Sequence, residues 1–478
     1  MPDASLAFDP ASGPLGPDAG APRLSYAGRE LWLWAFLGVL ALAIAGLAAP
    51  ILALSRVPGV EDVFPWPVAA FEKGLVVHVV FSFVVWFLCL FGALAHLATL
   101  DTVGPGGALR HLGRLGLGLV AAAFPMLLVP AFLDRGEPSL NNYIPVIIDP
   151  LYYAGLGFLG LGVGCVALRL ALEVGPRWRT ADPIARAMGG AAVIALAALT
   201  AFACGLWGVW GRNPDFAFNE DLFWGGGHIL QFLNATLLLV AWMRLGGMAF
   251  GVRPVRSQIL GAGVLLLVIP AVLAPGLYAV TEPFSARQTQ TFTDLQFALA
   301  PATLVVALAL LPLIGRVLRD GLKGCDPARL ALILSPAVFG VGGLLGLFVD
   351  GADTRTPAHY HGIIAGINLA FMALYLTLLL PMLGRAVPLG RMARAILWLF
   401  GLGQLAACIG LFVAGGYGAP RKAAGDAQGL TELGAQMGLY LNGIGALFAV
   451  IGGVLFVVIV GRALLRSPLT AAPKTPKS

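Results

Sequence analysis

Residues 358–362 read Ala358-His359-Tyr360-His361-Gly362 and open an apolar run that continues to about 383. A helix advances about 100° per residue, from 3.6 residues per turn. Two positions apart, the imidazoles of His359 and His361 point to opposite flanks of one helix. They cannot chelate one ion together, but each can hold a separate large ligand on its own side. Haem iron takes histidine as an axial ligand, so two haems, one on either flank, is the economical reading.

Outward from this segment the chain is a series of similar runs. A bilayer core needs about 20 apolar residues per helix. Twelve stretches qualify, near 31–54, 74–100, 115–133, 146–173, 188–210, 223–244, 258–280, 295–318, 330–349, 359–383, 395–416 and 437–461. Of 478 residues, 59% are hydrophobic and 11% charged, against about 45–50% and about 25% in soluble domains. That composition excludes a soluble enzyme with a polar shell, and equally a disordered chain. The expected fold is all-α: a polytopic membrane protein of twelve transmembrane helices spanning 29–463. Residues 1–28 and 464–478 are read as cytoplasmic tails, the first disordered. It lacks the basic start of a signal peptide.

With the N-terminus inside, Arg56, Lys73, Arg135, Arg212, Arg287, Arg355, Arg421 and Lys422 fall outside, and the other 22 of the 30 Lys and Arg fall inside. This positive-inside bias sets the orientation, with both termini cytoplasmic. It also explains the net charge of +6 without nucleic acid. A bacterial inner membrane is the expected location. Cys89, Cys165, Cys204, Cys325 and Cys408 form no CxxC pair, which argues against a thiol redox pair and a covalently attached haem.

Six histidines are present. His96 and His111 fall at or near the inner edge and read as interfacial polar residues. His78, His228, His359 and His361 all fall at the outer ends of the second, sixth and tenth spans. Polar rings inside spans are expensive and tend to mark a site.

At these residues the chain resembles subunit I of the haem-copper oxidase superfamily, which includes the nitric oxide reductases. Lys73-Gly74-Leu75-Val76-Val77-His78 in the second span is similar to the stretch where the family places a low-spin haem ligand. Leu222-Phe223-Trp224-Gly225-Gly226-Gly227-His228 in the sixth is similar to the one carrying a ligand of the second, non-haem metal. His359-Tyr360-His361 resembles the family's His-x-His. The resemblance implies two non-covalent haems, one low-spin between His78 and His361 and one high-spin on His359. Pro420-Arg421-Lys422 resembles the basic pair that binds haem propionates. Buried carboxylates need such cationic partners.

The chain departs from the family in the seventh span. The family's adjacent histidine pair is replaced by Thr281-Glu282-Pro283. Copper favours imidazole and sulfur, and carboxylate suits harder ions. His228 with Glu282 therefore suggests non-haem iron, or no metal, rather than copper. The residue before a proline is pushed out of helical geometry, which would let Glu282 turn towards the sixth span. Where many oxidases carry a tyrosine, one turn after His228, this chain has Phe232. Tyr278 is the alternative, as a catalytic proton and electron donor. Gln231, Asn234, Thr236 and Thr303 form at most a thin polar track on the inner side.

Three readings remain open. One is a divergent oxidoreductase passing electrons through a low-spin haem to a high-spin haem that reduces O2 or NO. A second is a non-catalytic haem protein for electron transfer, gas sensing or assembly. The third is a twelve-span transporter. A small cytochrome or cupredoxin-like subunit would donate the electrons.

Overall fold

A computed structural model describes residues 25–63, 68–322, 324, 326–349, 351–423 and 425–467. Most of the N-terminal tail, the end of the C-terminal tail and Cys325 lie outside the described residues. Twelve helices are long and apolar enough to cross a membrane. They are α1 Tyr26–Leu54, α2 Phe71–Val103, α3 Arg110–Phe132, α4 Pro150–Arg177, α5 Pro183–Gly208, α6 Phe216–Phe250, α7 Ser257–Val280, α8 Ala286–Asp320, α9 Pro327–Phe348, α10 Arg355–Met382, α11 Arg391–Gly416 and α12 Leu433–Leu465. Each coincides with one apolar run of the sequence.

The boundaries differ where local chemistry overrides hydropathy. Residues 26–28, expected in the tail, belong to α1, whose N-terminus is capped by the Ser25 hydroxyl. The apolar triplet Val146–Ile148, expected to open the fourth span, is instead strand β2. It pairs antiparallel with strand β1, Glu137–Ser139. The helix begins at Pro150, whose fixed φ suits a first helical position, and Asp149 caps it by accepting from the Leu151 N–H at 2.8 Å.

Neighbouring helices pack in sequence order, and α12 returns to α1. The centre is formed by α6 and α10, which pack on each other. In both, 83% of the most apolar window is buried in protein, against 22% in α8 and 28% in α12. Hydropathy runs the other way, at 1.5 for α6 and 2.8 for α12. Lipid is as apolar as leucine, so the most apolar helices gain nothing by being central. The centre can therefore carry polar rings. Trp86 donates to Asn368 at 2.8 Å, and Trp242 donates to Ser335 at 2.9 Å. Both α2 and α10 contain a π-helical turn, Val80–Val85 and Tyr375–Leu379. Such turns are frequent at functional sites, and the one in α2 begins two residues after His78.

Candidate haem-binding site

The histidines of α10 diverge as their spacing requires. His359 faces α9, where its Nδ1 donates to the Gly342 carbonyl at 2.8 Å. Gly346, one turn on, leaves room for the ring: a Cβ there would lie 2.5 Å from Nδ1. His361 faces the other way, within electrostatic range of His78 on α2. The Nδ1 of His78 donates to the Ala45 carbonyl of α1 at 3.0 Å. Tyr360 lies flat beside His361, with ring centroids 5.2 Å apart. Its side chain is 39% accessible.

This chemistry fits haem. A metal-bound histidine typically donates its other ring N–H to a carbonyl or carboxylate, which fixes tautomer and orientation. His78 and His359 are held in this way, with Nε2 left as the ligand nitrogen. The charges fit as well. Arg56 and Arg421 both act electrostatically on Tyr360, and Arg56 acts on His78 and His361 too. Arg421 donates to the Asn142 side chain at 2.7 Å, and Lys422 donates to the Leu140 carbonyl. Arg56 and Arg421 thus lie near the histidine segment, with Lys422 beside Arg421. Arg56 was legible only as one of the outer charges.

The surroundings of His228 are different. Its Nδ1 donates to the Trp224 carbonyl at 2.7 Å, and its Nε2 lies 2.8 Å from the Tyr143 hydroxyl. The rings of Tyr143, Trp224 and Phe292 stand 4.4, 4.8 and 6.0 Å from the imidazole. The three glycines before His228 have a common purpose. A Cβ on Gly225 would strike the Tyr278 hydroxyl at 2.5 Å, on Gly226 the Phe202 ring at 2.3 Å, and on Gly227 the Tyr143 Cβ at 2.5 Å. One helical turn without side chains admits aromatics from three directions.

A second metal is not fitted by these residues. Glu282 does leave the helix, beyond an extended Thr281, but its side chain is exposed to solvent. The turn around it is fastened by buried Gln288, which donates to the Thr281 hydroxyl at 3.1 Å and accepts from the Phe284 N–H at 2.8 Å. Among the described residues no group of three or more His, Cys, Asp or Glu is arranged to hold an ion. Tyr278 contacts Phe292, with centroids 5.7 Å apart, and Phe292 in turn contacts His228. Together Tyr278, Trp224, Phe292, Gln288, Glu220 and Asp221 border a cavity of about 120 Å³. Gln231, Thr236 and Thr303 bond carbonyls within their own helices, and Asn234 bonds Gln231. Sequence reasoning missed Tyr143, because nothing in its own segment, Asn141-Asn142-Tyr143-Ile144, announces that it enters the bundle.

No family model matches the chain. It is 28% identical over 347 residues to an uncharacterized protein of Aquifex aeolicus (strain VF5), covering 72% of this chain and 82% of that one. It is 23% identical over 500 aligned positions to an uncharacterized protein of Rickettsia prowazekii (strain Madrid E), covering 90% and 95%. A cryo-EM structure of a haem-copper terminal oxidase dimer superposes with a TM-score of 0.75 over 93% of this chain and 85% of that one, at 15% identity. The chain therefore has the membrane-embedded fold of a haem-copper terminal oxidase.

Proposed function

We propose that the chain is a haem-dependent membrane oxidoreductase, in which electrons pass from a low-spin haem held by His78 and His361 to a high-spin haem held by His359, where O2 or NO is reduced. The observation that carries this reading is the tethering of His78 and His359: each gives its Nδ1 proton to a carbonyl of a neighbouring helix and keeps Nε2 as a ligand. Haem bound there would supply one-electron redox chemistry and, at His359, binding of a diatomic ligand. The chain's own part is to hold and screen. Ala45 and Gly342 fix ring orientation, and Arg56, Arg421 and Lys422 offer cationic partners to carboxylates on the outer edge. The donor is a separate small subunit, cytochrome or cupredoxin-like. The membrane is a bacterial inner membrane, with both termini in the cytoplasm.

A non-catalytic haem protein, serving electron transfer, gas sensing or assembly, is the second reading. It is favoured by one observation, the Tyr143 phenol on the His228 nitrogen that a second metal would use.

Optical spectroscopy of the purified protein tests the proposal. His361→Ala is expected to remove a six-coordinate low-spin signal, and His359→Ala to remove the spectral shift that carbon monoxide causes in the reduced wild type. A folded but colourless protein would overturn both readings. A coloured protein indifferent to carbon monoxide would leave only the second.

A further inference from the structure

We infer that Tyr143 takes the place of a second metal: its phenol occupies the His228 nitrogen that a metal would need, so a hydrogen-bonded tyrosine–histidine pair replaces the metal at this position. The proposal rests on the haem-protein reading for the location of the haem, and it holds for either form of that reading.

The proton inventory makes the hydrogen bond directional. His228 Nδ1 faces the Trp224 carbonyl at 2.7 Å, and a carbonyl only accepts, so Nδ1 carries a proton. The remaining lone pair is on Nε2, and the Tyr143 hydroxyl at 2.8 Å donates to it. A metal ligated by this imidazole would need the same lone pair.

Independent features hold Tyr143 there. Its φ of 62° lies in the left-handed region, which bulky residues rarely adopt outside constrained sites. The Ile144 N–H bonds the Asn142 carbonyl at 2.8 Å, closing a tight turn centred on Tyr143. The side chain of Asn141 donates to the Ile144 carbonyl at 2.7 Å. Asn142 gives its backbone N–H to one Glu220 oxygen at 2.8 Å and its side-chain amide to the other, and it accepts from Arg421. Gly227 supplies the space, since any Cβ there would collide with Tyr143. The turn is thus braced from α6 and from the α11–α12 loop, and Glu220 has both oxygens engaged and is not spare for an ion.

The test uses the full chain as purified, with Tyr143→Phe and His228→Ala. Non-haem metal is measured first, then copper(II) is added as probe, because it favours imidazole. The expected result is no metal in wild type that depends on His228, and more copper in Tyr143→Phe than in the other two, with nitrogen couplings in its EPR spectrum. Nitrogen-15 NMR on histidine-labelled, reduced, carbon-monoxide-treated protein decides the matter even if the freed imidazole captures nothing. Only six histidines contribute, and the signal lost in His228→Ala is expected to move in Tyr143→Phe. The inference is overturned by non-haem iron or copper in wild type that His228→Ala removes, or by a His228 signal unchanged in Tyr143→Phe. Optical spectra of the same samples report separately on the haem reading.

Discussion

Lys422 shows how single side chains secure the histidine-bearing end of the bundle. It sits in the left-handed region with φ 59°, and its ammonium donates to the Leu140 carbonyl. Burial pulls its pKa down to about 8, Arg421 pushes the same way, and Glu220 opposes. A lysine with a depressed folded pKa releases its proton on folding between the folded and unfolded values. The unfolded chain then binds more protons, so stability rises with pH through that window. Thermal denaturation in detergent should show wild type gaining on Lys422→Met from about pH 8 to 10.5, and parallel profiles would refute this. At this scale the sequence was only partly legible. The outer histidines stood out because polar rings are rare in spans. Tyr143 did not, because its position depends on a left-handed turn and on a glycine over 80 residues away. The triple glycine before His228 was visible as a motif, but its physical reason, three aromatic rings on one turn, needed coordinates.

Among elements, the seam between α11 and α12 is the most regular. Gly403 and Gly410 on one helix, and Gly438, Gly445 and Gly452 on the other, recur every seven residues. Seven residues is close to two turns, so each set lies on one face. A Cβ at any of these five would lie 2.4–2.8 Å from the opposing backbone. Without water to drive association, spans adhere by close packing of small residues. Asn442 adds a bond to the Ala407 carbonyl at 3.3 Å. Gly445→Val should cost about 1–3 kcal/mol, the usual range for overpacking, whereas Gly453→Val should be nearly silent, since its Cβ would meet nothing within 4 Å. Equal losses in the two variants, measured by denaturation in micelles, would contradict the seam. The spans themselves were readable from hydropathy. Their pairing was not, because a lipid-facing leucine and a buried one are alike in sequence.

Across the whole molecule the two ends of the bundle are specialised. One end carries the four histidines discussed above. The opposite end of α1, α2 and α4 holds a buried charge cluster. Arg169 donates to Glu30 at 3.0 Å and to Glu173 at 3.2 Å, and His96 Nδ1 lies 3.1 Å from Glu30. All four side chains are at most 5% exposed. His96, expected as an interfacial polar residue, is buried in this clamp, and its Nε2 donates to the Ala27 carbonyl at 3.0 Å. The sequence predicts an inward excess of cations but could not show that Arg169 is sequestered between carboxylates from two helices. Breaking a buried ion pair by removing one partner costs about 3–5 kcal/mol, mostly from the charge left behind. Arg169→Met strands two carboxylates among three helices, so a loss of that size is expected in denaturation of the detergent-solubilised protein. Adding Glu30→Gln and Glu173→Gln to Arg169→Met removes the stranded charges and should recover most of it. The cluster would be exposed as a passive feature if Arg169→Met alone stayed within about 0.5 kcal/mol of wild type, the ordinary range for surface changes. The haem spectra should be unaltered in the triple variant, because the clamp lies at the opposite end of α2 from His78.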